Sequence, residues 1–435
     1  MSHPQPPFHR RILPWLFFAM FLALAPVLVY YTAGYRYNAK KGQFERNGTL
    51  IVDSTPSGAR IVIDGQDTNE TTPVTLQNIP TGSHHVLVHK DGYRDWQKDL
   101  EIRPEQVTFA NAVWLWKINE PAVLLPGDYK IISADPLNQK LALVAAQSPA
   151  VSTLSYWSPA SGLASSSTFA ASAADSLLLR WQNDGNAVLL NGFSIKEKTW
   201  WSKPVTARPF VDPLPTGTYH WSGTDLLGEN APSSFRLVPQ SKTFAREPLA
   251  PRTIGIAQDL TLQFTSSSEE VLADRSLRTR LFSMPAGQWS FGEIRKPYVL
   301  LQDSRRWLAI NLEQSDPYVG QVTGDQPRWL TGSNPPTALF VNDREVWMWK
   351  MGNDPVLLWR QSDPIRQVAW HRGGTAVFIA DEHQIFTLEL DDRNGRQVTQ
   401  LATFDHLEDF GIVNRTLYIA AQKGTQRGLW QVNVE

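Results

Sequence analysis

Three histidines on one short stretch are the first residues with chemistry to weigh. His84, His85 and His89 lie in the segment Gly82-Ser83-His84-His85-Val86-Leu87-Val88-His89. Alternate residues of a strand share a face, so His85 and His89 point one way, with Leu87 between them, and His84 the other. At about 3.3 Å per residue the two are roughly 13 Å apart, too far to share one zinc ion. Asp64, Asp67, Asn69 and Glu70 crowd a second stretch whose oxygens suit a hard cation, but without a regular ligand order they read as an exposed loop. Asp391-Asp392-Arg393-Asn394-Gly395 opens like a calcium loop. Arg393 breaks the ligand alternation and no bidentate Glu follows at the right spacing, so this reads as a solvated turn. No nucleophile elbow, His-Glu-x-x-His helix, phosphate loop or dinucleotide fingerprint occurs. With no Cys in the chain, thiolate catalysis, Cys-ligated zinc, disulfides and a lipidated cysteine are excluded. The expectation is therefore no catalytic, cofactor-binding or metal residue.

Among the aromatics, Trp200-Trp201 and the same-face pair Trp347 and Trp349 stand out. Indoles on an exposed rim could stack on sugars; buried indoles between sheets are the other reading. Lys and Arg number 41 against 42 Asp and Glu, so no global charge draws the chain to nucleic acid.

The elements that would position these residues fall into three stretches. Ile12 to Tyr31 carries no charge. About 20 helical residues cover roughly 30 Å, the thickness of a bilayer core, so residues 12–31 are expected to span a membrane behind a cytoplasmic tail, residues 1–11. Pro26 follows the small-residue triplet Ala23-Leu24-Ala25 and argues against cleavage there, which makes the span a retained signal anchor. Tyr30, Tyr31, Tyr35 and Tyr37 suit an interfacial belt. Arg36, Lys40, Lys41 and Arg46 after the span outnumber Arg10 and Arg11 before it. The amino terminus is nonetheless placed inside, because Arg10 and Arg11 abut the apolar run. Residues 32–47 read as a linker.

From residue 48 to 117 the pattern changes to period two. Six short strands are expected, in a small sandwich punctuated by Gly and Pro. The tetrapeptide Pro56-Ser57-Gly58-Ala59 is followed by Ile61-Val62-Ile63-Asp64-Gly65, Thr72-Pro73, Ile79-Pro80-Thr81-Gly82, and Lys90 with Gly92-Tyr93. With these elements in this order the segment resembles the PEGA domain family. Ser57 departs from the usual Glu. These residues set the fold: the glycines permit φ > 0, and Pro56 and Pro80 preset turns. The resemblance implies an extracytoplasmic accessory module attached to bacterial envelope or surface proteins.

From residue 121 to 435 a weak repeat appears: an apolar strand, a polar turn, and a second apolar strand. Eight copies align, beginning at Ile131, Leu178, Tyr219, Leu260, Tyr298, Ala338, Val368 and Phe410. A period near 40 residues with four short strands per unit predicts a β-propeller of seven or eight blades, with a long irregular sandwich as the rival. The seventh copy is similar to WD40-like and TolB-like repeats. Ala122 to Leu125 is expected to complete the last blade beside Leu429 to Val434. The sixth copy is short, which predicts either a three-stranded blade or a merger of two.

The chain thus reads as mainly β: a transmembrane helix, a small PEGA-type sandwich and a β-propeller. The function expected is that of a membrane-anchored envelope binding or scaffold protein, whose partner is an envelope protein or glycan. The alternative is a carbohydrate-active enzyme, a glycoside hydrolase or lyase, with carboxylates in the propeller channel.

Overall fold

The computed structural model describes residues 8–32, 35–38, 43–135, 137, 139–169 and 278–435, and between 177 and 277 the strands together with Gln182 and Gly185. The chain divides into two compact units. One holds Met1–Ile118 with Asp391–Gln397 and Glu435; the other holds Asn119–Leu390 with Val398–Val434.

The first unit begins with helix α1, Phe8–Thr32. Its described large apolar side chains, from Leu13 to Tyr30, are exposed. Among the described residues no helix is long and apolar enough to cross a membrane. The side chains of Ile12 and Tyr31, which bound the expected span, lie outside the described residues.

Eight strands follow: β1 Tyr35–Asn38, β2 Gln43–Thr55, β3 Arg60–Ile63, β4 Gln66–Thr71, β5 Val74–Pro80, β6 Gly82–His89, β7 Trp96–Ile102 and β8 Val107–Trp114. One sheet runs β1-β2-β5, with β8 parallel to β2; the other runs β4-β3-β6-β7. Leu50, Val52, Ile61, Val86, Val88, Leu100 and Ile102 fill the core. In β7 burial alternates strictly, with Trp96, Lys98, Leu100 and Ile102 inward. The polar stretch from Asp67 to Glu70, expected as a loop, is strand β4. It has no apolar face to announce it because it lies at a sheet edge and is exposed for most of its length.

The second unit is an array of sheets. Among the described residues it forms eight four-stranded antiparallel sheets, the first seven wound in chain order. The eighth consists of His406–Val413, Thr416–Lys423 and Gln426–Asn433, and Ala122–Pro126 supplies its fourth strand. Leu125 pairs with Leu429 and Val123 with Trp430. Without that segment the last strand would present an open edge. The first and eighth sheets share a core of Ile132, Leu141, Leu143, Trp157, Val413, Tyr418 and Leu429. Other shared cores join the first sheet to the second, the fourth to the fifth, the fifth to the sixth and the sixth to the seventh.

The sequence copies match this array unevenly. Copies one to three, seven and eight fall on the first two strands of their sheets, whereas copies four to six fall on the second and third. The slip arises because middle strands such as Tyr298–Asp303, Arg306–Asn311 and Thr337–Asn342 are buried on both faces, so burial alone does not mark which is first. The sixth sheet has four strands rather than three; its first is the two-residue strand Arg328–Trp329, too short to read from the sequence.

Candidate functional site

In the small domain the motif residues form a hydrogen-bonded knot. Thr72 N donates to Ala59 O at 2.9 Å, Gly58 N donates to Thr72 O at 2.7 Å, and Ala59 N donates to Thr72 Oγ1 at 3.1 Å. Ser54 Oγ reaches Thr72 Oγ1 at 2.6 Å and donates to Pro56 O at 2.8 Å. Lys90 Nζ donates to Ser57 O at 2.9 Å. This explains why the tetrapeptide and the Thr72-Pro73 pair occur together: each satisfies the other's buried backbone groups. Gly58 has φ 75° and Gly65, which closes the β3–β4 hairpin after Asp64, has φ 77°, a region L side chains rarely enter. Gly82, where β6 begins after Pro80, and Gly92 also have positive φ. Tyr93 N donates to Lys90 O at 3.0 Å, and its ring packs on the core.

Each histidine of β6 has its own carboxylate. His84 Nδ1 lies 2.7 Å from Asp64 Oδ2, with Nε2 2.7 Å from Pro80 O. His85 Nδ1 lies 2.7 Å from Asp99 Oδ1. His89 lies 2.6 Å from Asp95 and 3.2 Å from Asp91. Those two hydrogen bonds raise His89 above the ordinary imidazole range. Slight burial would raise Asp64, but the His84 side chain and the His85 N–H together lower it. Among the described residues no group of three His, Asp or Glu is placed to hold a metal ion.

The segment from Asp391 to Gln397, grouped with this first unit, is bonded to β7. Lys98, whose side chain is 2 % exposed, holds Asp391 Oδ2 at 3.5 Å and donates to Asp391 O at 2.8 Å. Arg393 grips the same carboxylate at 2.7 Å. Burial pushes this carboxyl up, yet Arg393 and Lys98 outweigh it and bring it down to about 2. Asp391 is thus held by the buried Lys98 and the half-exposed Arg393, at the head of a turn, residues 392–395, that is exposed as the sequence suggested.

A further polar arrangement lies in the array. Tyr129–Ala134 neighbours both His406–Val413 and Leu177–Trp181, and Gln367–Trp370 neighbours both Arg328–Trp329 and His406–Val413. Arg180, Arg328, Gln367 and Asp409 project from these strands, and Glu293 and Arg295 from Ser290–Arg295, the first strand of the fifth sheet; all are half-buried. Asp409 accepts hydrogen bonds from Ile132 N at 2.9 Å, Phe410 N at 2.8 Å and Gln367 Nε2 at 3.1 Å. The same Gln367 turns its oxygen to Arg328 Nε at 3.1 Å and Nη2 at 3.0 Å. Glu293 takes Trp329 Nε1 at 2.8 Å and pairs with Arg295, whose guanidinium lies 4.8 Å over the Trp329 ring. Enclosure by protein pushes Asp409 up to about 6, against its backbone donors and the charge of Arg328. It also brings Arg180 down to about 10, with Glu293 opposing and Arg328 adding to the effect.

Tryptophans fasten neighbouring sheets beside this cluster. Trp181 Nε1 donates to Ser133 O at 3.1 Å, Trp370 Nε1 to Arg328 O at 2.7 Å, and Trp329 Nε1 to Glu293; each acceptor is on the first strand of the preceding sheet. Trp349 is fully buried and Trp347 partly so, with Nε1 bonded to Glu345 at 2.8 Å. The side chains of Trp200 and Trp201 lie outside the described residues. Sequence reasoning missed the cluster of charges at the first strands. Its one visible signal is a basic residue directly before a tryptophan, at Arg180-Trp181 and Arg328-Trp329.

Residues 47–113 match the PEGA domain family. No curated protein matches the chain. Among solved structures, the chain is similar to Hsv2 of Kluyveromyces lactis at 11 % identity and a TM-score of 0.39, over 64 % of this chain and 99 % of that one. It is similar to a chain of a mitotic checkpoint complex at 12 % identity and a TM-score of 0.43, over 73 % and 93 % of the two chains. Raptor of Chaetomium thermophilum gives 8 % identity and a TM-score of 0.43, over 74 % of this chain and 29 % of that one.

Proposed function

We propose that this chain is a membrane-anchored, extracytoplasmic recognition or scaffold protein of a bacterial envelope, with its eight sheets closed as the blades of a β-propeller. The anchor is the uncharged run from Ile12 to Tyr31, and the exposed apolar side chains of α1 support it, since water does not favour an apolar helix exposed on every side. The recognition surface is the centre of the array, and its partner is an envelope protein or glycan. One observation carries this reading: the central carboxylates are already used as acceptors. Asp409 holds three donors, and Glu293 is held by Trp329 and Arg295. Such groups orient a binding surface. The raised carboxyl of Asp409 favours a second reading, a glycoside hydrolase or lyase using it as general acid.

The absence of Cys makes the location directly testable. Ala150→Cys places one thiol at an exposed turn. The full chain should remain in the membrane pellet after alkaline extraction, and a membrane-impermeant maleimide should label the introduced thiol in cells whose inner membrane is intact. Extraction into the soluble fraction, or labelling only after lysis, defeats the reading. Cleavage of envelope polysaccharide that is lost in Asp409→Asn would move the assignment to the enzyme.

A further inference from the structure

The central cluster contains more cationic donors than its own carboxylates answer. Arg328 directs Nε and one terminal nitrogen to a single neutral amide oxygen of Gln367. Among the described residues it makes no ion pair at salt-bridge distance, and the nearby carboxylate of Asp409 reaches it only through Gln367. Arg295 is paired through a terminal nitrogen with Glu293, while its buried Nε has no hydrogen-bond partner. A guanidinium offers five donors in a planar fork that suits carboxylate or phosphate. Leaving such a group enclosed with only a neutral acceptor is costly unless an anion completes it. The third arginine, Arg180, lies close enough to feel the like charge of Arg328 across the centre. Among the described residues the carboxylates that act on Arg328 are those of Asp409 and Asp325, neither at salt-bridge distance; Asp325 is paired with Arg305, and Asp409 has lost much of its acidity.

We infer that the centre of the array binds an oxyanion, carboxylate or phosphate, with Arg328 as its principal contact and Arg295 as the second. This rests on the reading of the centre as a recognition surface and names the chemistry of its ligand. The tryptophans beside it are committed to fastening sheets, so the specificity is for the charged group and not for an apolar face.

Isothermal titration of the full chain in a nonionic detergent, with inorganic phosphate and separately with glucuronate, tests the inference. Saturable binding of either is expected; phosphate alone or glucuronate alone tells which oxyanion is preferred. Arg328→Gln should weaken binding by about tenfold or more, with partial recovery in Arg328→Lys. Asp409→Asn removes the competing negative charge and should tighten binding severalfold, a gain that misfolding does not imitate. Absence of binding by either anion at millimolar concentration overturns the inference, as does unchanged binding in Arg328→Gln. If Arg328→Gln does not fold, Asp409→Asn decides alone: tighter binding supports the site and unchanged binding defeats it. Membrane location, read by maleimide labelling of the Ala150→Cys variant, does not involve Arg328, so that reading can fail while the anion site stands, and the reverse.

Discussion

Two aspartates, one in each unit, are displaced from their ordinary acidity in opposite directions. Asp391 lies at about 2 and Asp409 at about 6. Burial pushes both upward; what differs is the answer. Asp391 meets two cations, Lys98 and Arg393, at 3.5 and 2.7 Å. Asp409 meets two backbone amides and the side-chain amide of Gln367, with Arg328 held one residue away. The first unit closes its charges locally into a rigid framework. In the array Glu293 and Arg295 pair with each other, but among the described residues Asp409 and Arg328 are answered at hydrogen-bond distance by neutral groups, an arrangement that costs stability.

The sharpest way to break this comparison is to open the array while sparing the small domain. Truncation before Leu429 removes the strand that carries Leu429, Trp430 and Val432, all buried, and leaves Ala122–Pro126 without a partner. Each such side chain contributes about 1.5–3 kcal/mol on burial. A fall in Tm of more than about 10 °C is expected. Hydrogen exchange should show lost protection in the first and eighth sheets, with β2 to β8 still protected. Equal melting of the intact and truncated chains would remove the argument for closure.

Next in size is the answered pair. Lys98→Met strips the buried lysine from Asp391 and should destabilise the first unit by about 2–4 kcal/mol. Lys98→Met with Asp391→Leu should recover part of that loss, because an apolar pair avoids the desolvation that the ions suffer. Chemical denaturation followed by hydrogen exchange in β6 and β7 measures both. Equal losses in the single and double variants would mean that packing, not charge, holds Asp391.

The unanswered aspartate predicts the opposite sign. A carboxyl raised in the folded state binds more protons folded than unfolded between about 3.8 and 6, so stability falls as pH rises through that window. Asp409→Asn should raise the Tm by about 3–5 °C at pH 7.5 and leave it nearly unchanged at pH 4. A stability loss at pH 7.5 would show that the accepted backbone bonds outweigh the desolvated charge.

These differences also set what could be read from the sequence. The small domain was legible because its turns demand particular residues: Gly58 and Gly65 need positive φ, and Thr72 fits only opposite the Pro56–Ala59 turn. Strand β4 was not, since an exposed edge leaves no apolar alternation. In the array the repeat gave eight units, but the apolar middle strands hid which strand came first, and the two-residue strand Arg328–Trp329 gave no period at all. The central cluster assembles from single residues spread between Arg180 and Asp409, so its geometry exists only once the sheets converge. The histidines had the reverse fate. They are adjacent in sequence and suggest metal chemistry, yet each is turned to a separate carboxylate.

The smallest expected effect concerns one of those histidines and refines the picture of local closure. His89 receives Asp95 and Asp91 at its two ring nitrogens, and both bonds raise its proton affinity, with Arg60 opposing. A raised imidazole contributes stability that is fully present below its unfolded value near 6.5 and is lost as pH rises through the higher folded value. The ring is about one-third exposed and Asp91 almost fully so, which leaves the pair screened and weak. His89→Gln keeps a hydrogen-bond donor toward Asp95 but no titratable charge. It should therefore lower the Tm by only about 1–2 °C at pH 5.5 and leave it unchanged at pH 8.5. A loss of the same size at both pH values would assign His89 a packing role, and no loss at either would show that Asp91 and Asp95 are satisfied by water once the ring is gone.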